Sequence, residues 1–308
     1  MARLALGLIG AGRLAEAGYL PAAALTKRVQ FAAVADPDEG RRALVAGGQL
    51  IEYPSARELV AAGGLDGVVC ASPPATHEEI ARLAAMAGLP ALVEKPPAPD
   101  LAGARRIADL DPAPSIAFNR RFSLGAGLQG TLPDSGTIEL EIRYRRFSWS
   151  PVMVRDPALL DLAPHVVDLA LRSGLGTPVS VAATSRRPER VEIAIEGASG
   201  SARIRCATDR PHLERVIVRD ASGNPVGNAR TGGLVRGAID RLRPAPHPLV
   251  ASLAEQLDEF AAACVGEPAP TLATAADGVA VMEVIAAAAE SLAHDGAPVA
   301  PPASGITA

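Results

Sequence analysis

Lysine is nearly absent from this chain of 308 residues, although arginine is abundant. The sequence contains 28 arginines and only two lysines, Lys27 and Lys95. A guanidinium group stays charged in proteins, whereas a desolvated ammonium group titrates near neutral pH, so arginine cannot replace a lysine that must give up a proton. Lys95 follows a short apolar run and is a candidate for such a role. The alternative is a surface lysine that escaped the compositional bias.

Other missing features exclude whole classes of protein. No run reaches the ~18 uninterrupted apolar residues of a membrane-spanning helix. The N-terminal stretch MARLALGLIGAG contains glycines at 7, 10 and 12 and no signal-peptide cleavage pattern. The net charge of −4, without basic runs between aromatic residues, argues against a nucleic-acid partner. We therefore expect a soluble, cytoplasmic protein that binds neither nucleic acid nor membrane.

Cysteine is also scarce, and the three cysteines are Cys70, Cys206 and Cys264. They are widely separated, odd in number and flanked by apolar or strand-like sequence. This distribution predicts reduced core residues, not a disulfide or a metal site.

Strand and helix patterns alternate over the first part of the chain. Apolar runs predict strands at 4–9, 31–35, 67–71, 91–93 and 115–118, and helical patterns lie between them near 13–25, 39–47, 55–62, 76–87 and 100–110. This alternation is typical of an α/β fold with a doubly wound parallel sheet. We predict a Rossmann domain over residues 1–119.

The pattern changes after residue 119. Residues 137–146 alternate apolar and charged side chains, which predicts an antiparallel strand with one face in water. Further strands are predicted at 179–183, 190–195, 202–206 and 214–218, and helices near 161–173, 248–265 and 273–293. We predict an α+β domain over 120–295 with a large, mainly antiparallel open sheet, followed by a disordered tail at 296–308.

A glycine motif connects the first strand to the first helix. In the G-x-G-x-x-A arrangement, Gly10 allows the tight turn, Gly12 admits a pyrophosphate to the backbone, and Ala15 lets helix and strand pack closely. The helix N-terminus offers N–H groups to the phosphates. The cofactor-binding residues predicted in this turn are Gly10, Ala11, Gly12, Arg13 and Leu14.

Asp36 ends the second predicted strand, at a distance that suits a carboxylate accepting hydrogen bonds from ribose hydroxyls. A carboxylate there favours NAD, because it repels the 2′-phosphate of NADP. NADP stays possible, since Arg13, Arg41 and Arg42 are near in sequence. Asp36 could instead be a turn residue. S-adenosylmethionine enzymes also combine a glycine-rich turn with an acid, so these two features leave the chemistry open.

Three later segments carry a resemblance to a known family. They are ASPPATH at 71–77, Glu94-Lys95-Pro96, and AFNRRF at 117–122. Their order resembles the glucose–fructose oxidoreductase/inositol dehydrogenase (Gfo/Idh/MocA) family of NAD(P)-dependent oxidoreductases over nearly the whole chain. The resemblance implies that Lys95 projects into the substrate pocket, and that a cis peptide bond between Lys95 and Pro96 helps to aim its side chain. It also implies that five residues line the nicotinamide-ribose side of the cofactor: Ser72, Pro73, Pro74, His77 and Glu94.

A second signature lies in the second domain, where Asp161, His165 and Asp168 are spaced by four and three residues. Pro164 is tolerated only in a first helical turn, so the helix should begin between 161 and 163, with the three side chains on one side. The resemblance implies that Asp161 and His165 face the nicotinamide. Asp161 could instead be a helix N-cap and His165 a core histidine. Asp168 could orient the imidazole or be an exposed carboxylate.

The chain departs from the family pattern around Asp161. The family often has a glycine cluster before the acid and a glycine between the acid and the histidine, whereas residues 156–160 and Ala163 stand here. Pocket shape and activity are therefore open. Arg120 and Arg121 are expected at the domain junction, where they bind substrate or tie the domains together.

The resemblance implies reversible hydride transfer between nicotinamide C4 and a secondary alcohol or ketone of a sugar, cyclitol or related polyol. Lys95 would be the general acid and base, assisted by His165. A non-catalytic NAD(P)-binding sensor or partner subunit is one alternative. A same-fold enzyme that cleaves glycosides by transient oxidation, or reduces imines, is another.

One face of the second-domain sheet is predicted to be charged and exposed to water. In this family that face often contacts a second subunit, so a homo-oligomer is possible, although contact with solvent would favour the same charged residues. The residues predicted on this face are Glu139, Glu141, Arg143, Arg145, Arg203 and Arg205.

Overall fold

The structure is a computed structural model that describes residues 3–144, 157–232 and 247–302. The chain forms two compact units. Unit 1 contains Met1–Phe122 and Pro246–Val279, and unit 2 contains Ser123–Ala245 and Ala280–Ala308. The sequence interpretation differs in one respect, because it assigned all of 120–295 to the second domain. The segment near 246–279 returns to unit 1, where Leu253, Leu257 and Phe260 are buried in the same core as Leu6 and Leu8.

Unit 1 contains a six-stranded parallel sheet of order β3-β2-β1-β4-β5-β6. The strand order reverses between β1 and β4, which is where open α/β sheets bind their ligands. The five predicted strands are present and the fold prediction is confirmed. The sequence reasoning missed β3, which is three residues long and has two exposed side chains. The strands are β1 (Leu4–Ile9), β2 (Val29–Ala35), β3 (Ile51–Tyr53), β4 (Gly67–Cys70), β5 (Ala91–Glu94) and β6 (Ser115–Ala117).

Local capping explains where several helices begin. The side chains of Asp38, Ser55 and Asp100 accept hydrogen bonds from the backbone N–H three residues later, at 3.0, 3.2 and 2.8 Å. The helices are α1 (Leu20–Leu25), α2 (Glu39–Ala46), α3 (Ala56–Ala62), α4 (His77–Met86), α5 (Leu101–Ala108), α6 (Ala158–Asp161), α7 (Ala163–Arg172), α8 (Pro248–Cys264) and α9 (Ala275–Ala293). A π-helical turn, Ala15–Tyr19, precedes α1, and 3₁₀ turns span Pro74–Thr76 and Asn119–Phe122.

Unit 2 contains a second six-stranded sheet of order β12-β11-β7-β10-β9-β8. β7 and β10 run parallel, and the other neighbouring pairs are antiparallel. The mainly antiparallel sheet is thus confirmed, although β7 itself has one parallel and one antiparallel neighbour. The sequence reasoning missed β12, an edge strand with few apolar residues. The strands are β7 (Gly136–Arg143), β8 (Pro178–Arg187), β9 (Arg190–Gly197), β10 (Gly200–Ala207), β11 (Leu213–Arg219) and β12 (Pro225–Gly232).

The predicted charged face of this sheet is present. Arg203 and Arg205 on β10 stand opposite Glu139 and Glu141 on β7, so the four side chains share a face. The two glutamates pair with arginines of β11 on the same face: Nε of Arg219 lies 2.8 Å from Glu139 and Nη2 of Arg215 lies 3.1 Å from Glu141. Arg145, the sixth residue predicted here, lies outside the described residues.

The chain end is partly paired. Val299 exchanges two backbone hydrogen bonds of 2.8 Å with Val181, at the edge of the second sheet. The expected disordered tail at 296–308 therefore includes a segment that is hydrogen-bonded to the sheet, and residues 303–308 lie outside the described residues. Across the described ranges, the helices are too short or too polar to cross a membrane.

Candidate functional site

The glycine turn leaves the carboxyl end of β1 and has the geometry of a phosphate-binding turn. Gly10 has φ +102°, and a Cβ there would lie 2.7 Å from the backbone carbonyl of Ala71, so only glycine fits. A Cβ on Gly12 would meet no atom within 4 Å. The open space at Gly12 fits a pyrophosphate that approaches the backbone, as the motif predicts. Ala15 is buried against the sheet.

Asp36 follows β2, next to the glycine turn. Its Oδ2 accepts a hydrogen bond from Ala11 N–H at 2.7 Å, and its Oδ1 accepts one from Asp38 N–H at 2.9 Å. The carboxylate is therefore fixed in place and carries its negative charge beside the turn. The Arg42 guanidinium donates to the Asp36 carbonyl at 2.7 Å and to Glu52 at 3.3 Å. These contacts favour NAD, because Arg42 is engaged by partners other than a 2′-phosphate.

The turn after β4 is closed by hydroxyl and imidazole contacts. Oγ of Ser72 lies 2.7 Å from Oγ1 of Thr76, and Oγ1 of Thr76 donates to the Pro73 carbonyl at 2.8 Å. His77 is completely buried, with Nε2 2.9 Å from the Ser72 carbonyl and Nδ1 3.1 Å from the Pro96 carbonyl. The imidazole thus joins the turn after β4 to the turn after β5. Burial lowers the pKa of His77, and the carbonyl contacts oppose this shift.

The end of β5 carries Glu94 and Lys95, and the bond between Lys95 and Pro96 is cis. Glu94 is only 8% exposed; its Oε2 accepts the Lys95 N–H at 3.1 Å and its Oε1 accepts the hydroxyl of Tyr19 at 2.6 Å. Burial raises the pKa of Glu94, while the Tyr19 hydrogen bond and the charges of Lys95 and Arg120 oppose the rise. Lys95 is half-buried at this edge of the sheet.

The segment after β6 separates the two predicted arginines. Arg121 is 4% exposed, donates to the Thr271 carbonyl at 3.4 Å and lies 3.3 Å from a carboxylate oxygen of Asp277. Its guanidinium also lies 6.0 Å from the ring centre of Phe118. These contacts are internal to unit 1 and favour a structural role for Arg121. Arg120 is less buried, and its charge acts on Glu94.

The predicted unit 1 residues therefore converge at one edge of the sheet, at the carboxyl ends of β1, β2, β4, β5 and β6. Arg13 and Leu14 belong to the same turn, Arg13 being exposed and Leu14 half-buried. Sequence reasoning missed Tyr19, whose hydroxyl reaches Glu94 from the first helical segment. A signal was available, because a tyrosine on an otherwise apolar helix face needs a partner for its hydroxyl.

The second signature lies on α6 and α7 of unit 2. Asp161 is the last residue of α6, and the N-cap of α7 is Leu162, so the N-cap alternative for Asp161 is wrong. Pro164 stands in the first turn of α7, as predicted. His165 and Asp168 are both buried, so the exposed-carboxylate alternative for Asp168 is also wrong. The pKa of Cys206 is raised, chiefly by burial and also by the charge of Asp161, which places that charge near β10.

Comparison with known proteins adds independent findings. Residues 4–112 match the GFO_IDH_MocA family, described as an oxidoreductase family with an NAD-binding Rossmann fold. The chain is 28% identical to the rhizopine catabolism protein MocA of Rhizobium meliloti, over 96% of this chain and 97% of that protein. It is 30% identical to inositol 2-dehydrogenase 2 of Saccharopolyspora erythraea, over 61% of this chain and 58% of that protein.

The fold of the whole chain also matches solved structures. The crystal structure of myo-inositol dehydrogenase from Lactobacillus casei, in complex with NAD(H) and myo-inositol, has a TM-score of 0.81 at 18% identity, covering 99% of this chain and 98% of that one. The WlbA dehydrogenase from Bordetella pertussis, in complex with NADH and UDP-GlcNAcA, has a TM-score of 0.76 at 17% identity, covering 98% and 99%. At these identities, the similarity concerns the fold.

Proposed function

We propose that this chain, whose residues 4–112 match the GFO_IDH_MocA family of NAD-binding oxidoreductases, transfers hydride reversibly between the cofactor and a secondary alcohol or ketone. The substrate is a cyclitol, a sugar or a related polyol. Bound NAD supplies the hydride acceptor at nicotinamide C4. The Gly10–Gly12 turn and Asp36 bind the pyrophosphate and ribose, with Arg13 and Leu14 beside them, and the turns after β4 and β5 border the nicotinamide side.

The observation that carries this proposal is the position of Lys95. It stands at the carboxyl end of β5, in the same row of strand ends as the glycine turn, and is half-buried beside the buried Glu94. In oxidation the Lys95 amine takes the proton of the substrate hydroxyl, and in reduction the ammonium returns a proton to the carbonyl oxygen. A positioned acid–base group of this kind contributes about 10²–10⁴-fold to the rate.

The polyol class is supported by the relatives. Inositol 2-dehydrogenases are among the similar sequences, and a similar fold holds myo-inositol with NAD(H). For unit 2, Asp161 and His165 are proposed to face the nicotinamide, as the resemblance implies, with His165 assisting proton transfer. Asp168 follows His165 by three residues on α7 and is proposed to position the imidazole. Arg120 is proposed as a further substrate contact.

The test is Lys95→Met, with Lys27→Met as the matched control, since these are the two lysines of the chain and Lys27 is exposed. Turnover of NAD would be screened with cyclitols, polyols and keto-sugars. We expect kcat to fall by about 10²–10⁴-fold in Lys95→Met and to stay unchanged in Lys27→Met, with NADH affinity within about threefold of the parent in both. Full activity in Lys95→Met would contradict the role of Lys95.

Two other outcomes select the alternative functions. NADH binding without turnover of any alcohol, ketone or imine would favour a sensor or partner subunit. Cleavage of a glycoside without net change of NAD would favour transient oxidation, since the hydride is then returned to the same substrate.

We also propose a homo-oligomer through the charged face of the second sheet, where arginines of β11 pair with Glu139 and Glu141. Sedimentation velocity of the parent protein and of an Arg215→Glu variant tests this proposal. A dimer that dissociates in the variant is the expected result. A monomeric parent would mean that the charged face simply contacts solvent.

A further inference from the structure

The hydroxyl of Tyr19 and the carboxylate of Glu94 form a buried pair that the acid–base role of Lys95 does not by itself require. Tyr19 has no exposed surface, and its hydroxyl donates to Oε1 of Glu94 at 2.6 Å, across 75 residues of sequence. Burial is the largest cause that raises the pKa of both groups. Desolvating two polar groups is costly unless each is hydrogen-bonded, so burial of Tyr19 and Glu94 depends on the contact between them.

The Glu94 carboxylate divides its two oxygens between two partners. Oε1 accepts from Tyr19, and Oε2 accepts from the backbone N–H of Lys95 at 3.1 Å. If the Tyr19 hydroxyl is removed, Oε1 loses its donor, and the carboxylate is free to rotate away from the Lys95 N–H. The orientation of the peptide that begins the Lys95 turn therefore depends on Tyr19.

Tyr19 is itself held firmly. It is the last residue of the π-helical turn that follows the glycine motif, in which Leu20 N–H donates to the Ala15 carbonyl. A Cβ on Gly18 would lie 2.9 Å from Leu253 and 3.0 Å from Leu14, so this turn packs closely on α8. The Tyr19 ring stands edge-on to Phe31, with centroids 6.5 Å apart. A π turn inserts one residue into the helical register, and such turns are frequent at functional sites.

We propose that Tyr19 is a positioning residue for Lys95: its hydroxyl orients the Glu94 carboxylate, which in turn orients the backbone from which Lys95 projects. The same contact joins the Lys95 turn to the helical segment that leaves the glycine turn, within unit 1. This inference rests on the proposed function of Lys95.

The first test is Tyr19→Phe, which removes one oxygen atom and keeps the ring. Losing a hydrogen bond to a charged group corresponds to about a 10- to 100-fold change, so we expect kcat to fall within that range, with the KM for substrate and the Kd for NADH within about threefold of the parent. The matched control is Ser173→Ala, which removes a buried hydroxyl that donates to the Ala170 carbonyl at 2.7 Å in unit 2. A purely structural role of Tyr19 would lower Tm in both variants and leave kcat unchanged in both, and that result would overturn the inference.

The second test does not depend on turnover. Reductive ¹³C-methylation gives one dimethyl-lysine NMR signal each for Lys27 and Lys95, the two lysines of the chain, and one signal for the N-terminal amine; Lys27→Arg and Lys95→Arg assign the two lysine signals. In Tyr19→Phe without cofactor, we expect the Lys95 signal to shift and sharpen, because the turn is less restrained, while the Lys27 signal stays in place. An unchanged Lys95 signal would contradict the positioning role.

The two proposals fail in different ways. Full activity in Lys95→Met would remove the acid–base function, yet a shifted Lys95 signal in Tyr19→Phe would still establish the contact. A large kcat loss in Lys95→Met with no effect of Tyr19→Phe on kcat or on the NMR signal would retain the function and exclude the role of Tyr19. A double variant, Tyr19→Phe with Glu94→Gln, adds a consistency check: kcat should fall less than the product of the two single effects, because both act through one carboxylate.

Discussion

The backbone N–H of Ala11 donates a 2.7 Å hydrogen bond to Oδ2 of Asp36. This contact joins the glycine turn after β1 to the residue that follows β2, so the carboxylate predicted to bind ribose also holds the predicted phosphate-binding turn. Carboxylate oxygens accept more than one hydrogen bond each, and Asp36 can therefore serve both purposes.

Replacing Asp36 by alanine is expected to weaken NADH binding by about 10- to 100-fold, because hydrogen bonds to a charged group contribute about 1.5–3 kcal/mol. The preference for NADH over NADPH should fall as well, since the charge that repels a 2′-phosphate is lost. Calorimetric titration with both cofactors measures this. The matched control is Asp66→Ala, whose Oδ2 accepts from Ala5 N–H at 2.7 Å at the opposite end of β1, and which should keep its NADH affinity. Unaltered NADH affinity in Asp36→Ala would contradict the ribose assignment.

Alanine at Gly10 should lower stability, whereas alanine at Gly12 should lower NADH affinity. Gly10→Ala brings a Cβ to 2.7 Å from backbone atoms of Ala71 at a φ of +102°, so we expect a loss of several kcal/mol in the free energy of unfolding. Gly12→Ala meets no protein atom within 4 Å, so stability should change little while NADH affinity falls, because the methyl group occupies the pyrophosphate side. Urea unfolding and NADH titration of both variants separate the effects. Equal NADH affinity in Gly12→Ala and the parent would mean that the cofactor does not approach this glycine.

The stability of the protein should depend on pH through His77. Burial lowers the pKa of His77 in the folded state below its ordinary value near 6.5. The unfolded chain therefore binds more protons in the window between the two pKa values, and stability rises with pH there. The contribution of His77 to stability is fully present above about pH 6.5 and is lost as pH falls through the folded-state pKa. Urea unfolding from pH 5 to 8 should show a shallower slope in His77→Gln than in the exposed control His294→Gln. Identical slopes in both variants would place the titration elsewhere.

The two neighbouring arginines should separate stability from catalysis. Arg121 is buried and paired with the partly exposed Asp277 inside unit 1, so Arg121→Met should lower the free energy of unfolding by about 1.5–3 kcal/mol. Arg120 acts on Glu94 by its charge, so Arg120→Met should reduce kcat/KM with a smaller change in stability. Urea unfolding and steady-state kinetics measure both quantities. A loss of stability in Arg120→Met together with a loss of kcat/KM in Arg121→Met would contradict both assignments.

Much of the fold followed from local sequence. The run 4–9 predicted β1 with its observed bounds, and the starts of α2, α3 and α5 coincide with capping side chains. The two strands that sequence reasoning missed, β3 and β12, lie at sheet edges, where half or more of each strand faces water and the apolar signal is weak. The return of α8 to unit 1 was also missed, because an apolar helix face does not reveal which core it joins.

The sequence by itself determined the class of each sheet, the glycine turn and the order of the motifs, because these depend on residues within about one element of each other. The tertiary structure decided the partners of those residues: Asp36 with Ala11, His77 with the carbonyls of Ser72 and Pro96, and Tyr19 with Glu94. Such pairs arise because parallel strands place the ends of distant segments side by side. Which side chains then meet depends on helix register and packing, and no local pattern encodes either.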